Sequence, residues 1–160
     1  MPMNVMTQLF RGKGAHADSL ACIEAVDSAL AGRPLAGTNQ TIWKEIWHLN
    51  FWMDYELRSI EGPEVPPPEH AAEGWPETIE PPDEAAWERE AGRFAELIGR
   101  FLAVAEDHAI AGRLVHPAKG ESVRDVCWQM IAHNSYHLGQ VVQIRRAFGA
   151  WPPPSGGDTW

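Results

Sequence analysis

Apolar residues recur at steps of three and four in four stretches of the chain, and each stretch is followed by a glycine and then, within a few residues, a proline. That ending is expected where a left-handed C-cap is followed by a residue that cannot continue a helix. The pairs are Gly32 with Pro34, Gly62 with Pro63, Gly112 with Pro117, and Gly149 with Pro152. They predict helices over about 15–31, 39–61, 83–110 and 122–148. The first would place Leu20, Ile23, Val26 or Asp27, and Leu30 on its working face. The third carries the most regular stripe, Trp87, Ala91, Phe94, Ile98, Phe101 and Ala105, which is bundle spacing. The fourth opens at Ser122, where Asp125 three residues on fits a capping box.

The second stretch is apolar on more than one side. Ile42, Ile46, Leu49, Met53 and Ile60 form one strip, while Trp43, Trp47, Phe51, Trp52 and Tyr55 leave the helix on other sides. Such a helix should be covered twice, either by a second copy of the chain or by the tryptophan-containing tail. A homodimer is therefore expected. The proline-rich segments 62–82 and 149–160 read as a long crossover loop and an extended tail. No repeat and no strand-rich region is evident, so the whole chain, residues 1–160, is expected to be one all-α domain, a four-helix bundle with long connecting loops.

The fourth stripe runs Val123, Val126, Met130, His133, His137, Val141, Ile144, Phe148, with two imidazoles in positions that otherwise hold apolar groups. Residues four apart leave a helix on the same face about one turn apart, which is chelate spacing. A core histidine can also simply be hydrogen-bonded to a neighbour, so a structural reading stands beside the metal one. The spacing is that of the zinc-protease helix, but there a glutamate follows the first histidine as general base. Here the residue is Asn134, and an amide cannot take a proton from bound water at neutral pH.

Composition narrows the functions. At 160 residues the chain can bury a core without disulfides or a structural metal. Cys22 and Cys127 fall far apart in apolar runs and read as reduced, buried thiols, as in an intracellular protein. Neither an N-terminal leader pattern nor an apolar run of membrane-spanning length is present, so a soluble, cytoplasmic protein with no membrane partner is expected. Thirteen Lys and Arg stand against 22 Asp and Glu, a net charge of −9, which repels a phosphate backbone and argues against nucleic acid as partner. Eight tryptophans against two tyrosines are read as large core and interface residues.

The string His133-Asn134-Ser135-Tyr136-His137-Leu138-Gly139-Gln140, the following Arg145-Arg146-Ala147-Phe148-Gly149-Ala150-Trp151-Pro152-Pro153-Pro154, and a lone histidine in the second helix together resemble the DinB family of helical metalloproteins. The resemblance runs over nearly the whole chain. It implies a four-helix bundle of the DinB/YfiT-like type in which one histidine of the second helix and two of the fourth hold a metal; carried onto this sequence these are His48, His133 and His137. Three neutral imidazoles leave a position open on a divalent ion, and imidazole suits zinc, nickel, copper or iron; zinc or nickel is expected. His16 lies close enough to the first helix to edge toward a site, and His70, His108 and His116, in loops or near a helix end, are assigned no role.

Characterised relatives imply a transferase or isomerase that uses a low-molecular-weight thiol, since a coordinated thiol is deprotonated where a free one is mostly not. Metal-assisted hydrolysis is the alternative, with Glu45, three residues before His48, as its one candidate base and a surface or salt-bridge role as the rival reading of that residue. A non-catalytic bundle that binds a small ligand or partner is the third reading.

Overall fold

The structure, a computed structural model, describes residues 4–158. Three long helices carry it: α3 (Ile42–Glu61), α4 (Glu84–Glu106) and α5 (Val123–Ala147), preceded by the short α1 (Val5–Phe10) and α2 (Ser28–Ala31). Each long helix begins at a residue whose side chain accepts from an otherwise orphaned backbone N–H: Thr41 from Lys44, Asp83 from Ala86, and Ser122 from Asp125. The capping box of Ser122 and Asp125 is present as expected. α3 is the central helix and packs on both α4 and α5. Its strip Ile42, Ile46, Leu49, Met53 and Ile60 is at most 1% exposed, and meets Trp87, Phe94, Ile98 and Phe101 of α4 and Val126, Val141 and Ile144 of α5 in one core.

The expected first helix, 15–31, does not form. Gly12 and Gly14 have φ of 78°, Ala25 stands at φ 54°, and the Asp18 carboxylate accepts from the N–H of Leu20, so the segment turns repeatedly. Only a 3-10 turn at Ala21–Ile23 and the single turn α2, capped by Asp27, remain helical. Of the face expected to work, only Val26 is buried; Leu20, Ile23 and Leu30 are half-buried, and Cys22 and Ala31 turn inward instead. The buried Arg145 guanidinium holds the segment, donating to the carbonyls of Cys22 at 2.9 Å, Ala21 at 3.2 Å and Ala150 at 3.0 Å. The Trp87 indole N–H adds a bond of 2.6 Å to the Val26 carbonyl.

Other expectations need correction. α1 was not foreseen; Asn4 caps it, and its Phe10 ring stacks on Phe101 at 5.1 Å. α4 stops at Glu106 rather than near 110, and Gly112 and Pro117 lie beyond its end, beside a two-stranded antiparallel ribbon, β1 (Leu114–His116) with β2 (Glu121–Ser122). Of the four glycines expected as left-handed caps, Gly149 alone has positive φ, 68°. The segment 62–82 is irregular apart from a 3-10 turn at Ala71–Gly74. It is this strap, not the tail, that lies over α3: Trp43, Trp47 and Phe51 form one side of a groove whose other side is Ala72 to Thr78. The tail, as far as Asp158, instead packs on α5 and the N-terminal segment, where Ser155 bonds to Glu24; Thr159 and Trp160 lie outside the described residues. Among the described residues no helix is long and apolar enough to cross a membrane.

Candidate metal centre

α3 and α5 bring His48, His133 and His137 together. One ligand atom from each can be chosen so that all three lie within 4.8 Å of one another, and among the described residues no other group of three does this. The two rings on α5 are 4.6 Å apart between centroids, as i and i+4 requires; the His48 ring is 5.1 Å from His133 and 4.6 Å from His137.

The outward-facing nitrogens decide what the inward ones can do. His48 Nδ1 lies 2.6 Å from the Gly74 carbonyl oxygen. A carbonyl only accepts, so the proton sits on Nδ1 and the Nε2 lone pair faces the cluster. His137 Nδ1 donates in the same way to Glu45 Oε2 at 2.6 Å, again freeing Nε2. Glu45 is 1% exposed and His137 6%. A carboxylate or carbonyl behind a ligand imidazole is the usual outer arrangement of a metal site, fixing tautomer and ring orientation. His48 Nε2 lies 3.2 Å from His133 Nε2. Two nitrogens each about 2.0–2.1 Å from one ion are about 3.3 Å apart at a tetrahedral angle, so this pair fits a shared ion. The Nδ1 of His133 is buried without a hydrogen-bond partner.

Electrostatics favours the ligand form. Burial lowers the His48 imidazole to about 4, opposed by its bond to Gly74 and reinforced by His137. Burial likewise lowers His133 to about 4, with His137 and His48 adding to the effect. Both rings are therefore neutral at pH 7, as coordination requires. Trp75 stacks on His48 at 3.8 Å and meets His137 edge-on at 5.9 Å, walling one side. The Tyr136 ring, 69% exposed, stands edge-on to His137 at 5.0 Å on another. A three-imidazole set with neither thiolate nor carboxylate among its ligand atoms, ringed by half-buried groups, could hold a divalent transition-metal ion and leave it a free position.

Glu45, weighed as a base or a surface residue, is neither exposed nor among the converging ligand atoms; its Oε2 is engaged by His137. His16 stays apart, its nitrogens 2.8 Å from the Ala17 carbonyl and 2.9 Å from Ser135 Oγ. His116, given no role in sequence, is 2% exposed in β1, with Nε2 at 2.8 Å from Glu56 and Nδ1 at 2.9 Å from Glu64. Its burial would lower its pKa, but the bonds to Glu56 and Glu64 outweigh that and hold it raised. Gly74 and Trp75 could not be found from the sequence, because nothing in a proline-rich loop tells which carbonyl or ring reaches a histidine 26 residues away.

A mostly helical chain with a buried three-histidine cluster between two of its long helices defines a class of possible metal-binding helical proteins. Residues 13–141 match the model of the DinB superfamily, and the chain belongs to that superfamily. No curated protein and no solved structure matches it.

Proposed function

We propose that the protein binds one divalent transition-metal ion, zinc or nickel, through the Nε2 atoms of His48, His133 and His137, and that it uses the ion to transfer a low-molecular-weight thiol to an electrophile. The observation that carries this is the outward anchoring of two of the three rings, by Gly74 and Glu45, which turns their inner lone pairs toward one point. An ion held there would lower the pKa of a thiol in its open position and so supply a thiolate at neutral pH. Transfer forms one carbon–sulfur bond and breaks the bond from that carbon to a leaving group, which departs with the electron pair, while the thiol proton goes to solvent.

The chain's own part is positional. Glu45 holds the His137 proton on the outer nitrogen, Gly74 does the same for His48, and Trp75 shields the His48 face from water. The two cysteines are poor candidates for the nucleophile. Burial raises Cys22 to about 12, Arg145 opposing and Asp18 adding, and burial alone raises Cys127 to about 11. Hydrolysis has lost its candidate base, since the Glu45 oxygen near the site is engaged by His137.

A panel of small thiols with a generic electrophile tests the reading. Turnover is expected only with zinc or nickel added, is lost in His133→Ala and His137→Ala, and is kept in Cys22→Ala and Cys127→Ala. Activity that survives without metal and disappears with Cys127 would assign the chemistry to the protein's own thiol.

A further inference from the structure

We propose that Lys44 reads a carboxylate on the ligand of this centre, so that the thiol it takes is an anionic one, a mercapto acid; the inference rests on the metal-thiol reading above. The chain has three lysines. Lys13 lies 3.9 Å from Asp18 and Lys119 lies 3.7 Å from Glu121. Lys44 has no carboxylate within 4.0 Å and donates no hydrogen bond among the described residues, although it is half-buried and acidic residues outnumber basic ones 22 to 13. Its ammonium faces the Trp75 ring and no carboxylate, so its three N–H donors are free for a ligand.

Its position directs that capacity to the centre. Lys44 is one turn before His48 on α3, so the two side chains leave the same face. The ammonium sits 5.7 Å from the centroid of the Trp75 ring, the indole that stacks on His48 and meets His137 edge-on. Two of the nearby carboxylates are committed elsewhere: Glu45 accepts from His137, and Glu73 accepts from the backbone N–H of His70 at 2.8 Å. Glu73 and Glu77 line the groove on the strap side of Trp75 without reaching Lys44 within 4.0 Å, while the side toward α5 is uncharged, with Tyr136, and with Gln40 donating to Gln140 at 2.6 Å.

Charge counting gives the same ligand. Three neutral imidazoles, the Glu45 carboxylate, a divalent ion and the Lys44 ammonium leave two positive charges in a half-buried site. One thiolate cancels the first and one carboxylate the second. A neutral thiol leaves the ammonium unpaired, and an aminothiol, whose own ammonium restores the charge that its thiolate cancels, leaves both positive charges.

Calorimetric titration of the zinc-loaded protein with 3-mercaptopropionate, 2-mercaptoethanol and cysteamine tests this without any turnover. The mercapto acid is expected to bind about tenfold more tightly than the other two, the size of one charge-assisted hydrogen bond. Lys44→Gln should remove that preference, Lys44→Arg should keep it, and both should retain wild-type zinc stoichiometry. Equal binding of the three thiols, or a preference that survives in Lys44→Gln, overturns the role of Lys44 and leaves the metal-thiol reading standing. Binding of none of them overturns the metal-thiol reading and this inference with it.

Discussion

Glu45 lies between two demands that usually conflict. Its carboxylate is almost fully buried, which is costly, yet it is the acceptor that keeps the His137 proton off the nitrogen facing the cluster. Replacing it by glutamine keeps an acceptor of the same shape but removes the charge, so Glu45→Gln is expected to weaken metal binding about 10–100-fold while the chain stays folded. Competition against a fluorescent chelator measures this; unchanged affinity would mean the carboxylate is only a structural partner. The cluster also has a pH signature. His48 and His133 titrate near 4 in the folded protein against about 6.5 unfolded, so between those values the unfolded chain binds more protons. Stability of the metal-free protein should therefore fall as pH drops from about 6.5 through about 4, and His48→Gln should flatten that slope. His116 has the opposite sign. Its folded pKa is raised, so its contribution is complete below about 6.5 and fades as pH rises through the higher folded value. Urea titrations across pH separate the two windows.

Among the elements, the three long helices and the two-histidine stripe were legible, because cap residues and 3.6-residue periodicity are local signals that tertiary packing reinforced. The segment 15–31 misled for a physical reason: Leu20, Ile23, Val26 and Leu30 keep helical spacing, but the glycines before them, the Asp18 and Asp27 side chains and the Ala25 turn cost the backbone its ladder, and Arg145 supplies replacement donors from 123 and 124 residues away. Two of the three clustered histidines could be picked out by spacing, and His48 only from the family resemblance. Their outer partners could not, since Glu45 looks like a surface residue until its neighbour in α5 is known. The strap is anchored at both ends, by His116 with Glu64 and Tyr55 with the Val65 carbonyl at its start, and by Gly74 with His48 and Thr41 with the Ile79 carbonyl near its finish. A Cβ on Gly74 would lie 3.1 Å from Trp52 Nε1 and 3.6 Å from His48 Nδ1. Gly74→Ala is thus expected to push the strap outward and lower metal affinity, seen as faster metal release to a chelator; release at the wild-type rate would show that the Gly74 carbonyl does not position His48. His116→Ala leaves Glu56 buried without its partner and should cost about 3–5 kcal/mol in urea unfolding, the price of breaking a buried pair.

At the scale of the whole molecule, a ligand that binds the folded chain alone stabilises it by mass action, about 2.7 kcal/mol at a hundred times its dissociation constant. Zinc should raise the midpoint of thermal unfolding of the wild type and leave that of His133→Ala in place. An ion held by the three histidines would link α3 to α5, the two helices whose packing also forms the core, so binding and global stability would be coupled. The claim on which the rest depends is that three imidazoles, one from α3 and two from α5, hold a single ion. Elemental analysis of the purified protein and of His48→Ala, His133→Ala and His137→Ala, each dialysed against the same trace of zinc or nickel, tests it most directly. One metal ion per wild-type chain, and far less than one in every variant, is the expected result; a wild-type chain without metal, or full occupancy in His48→Ala, would contradict the account.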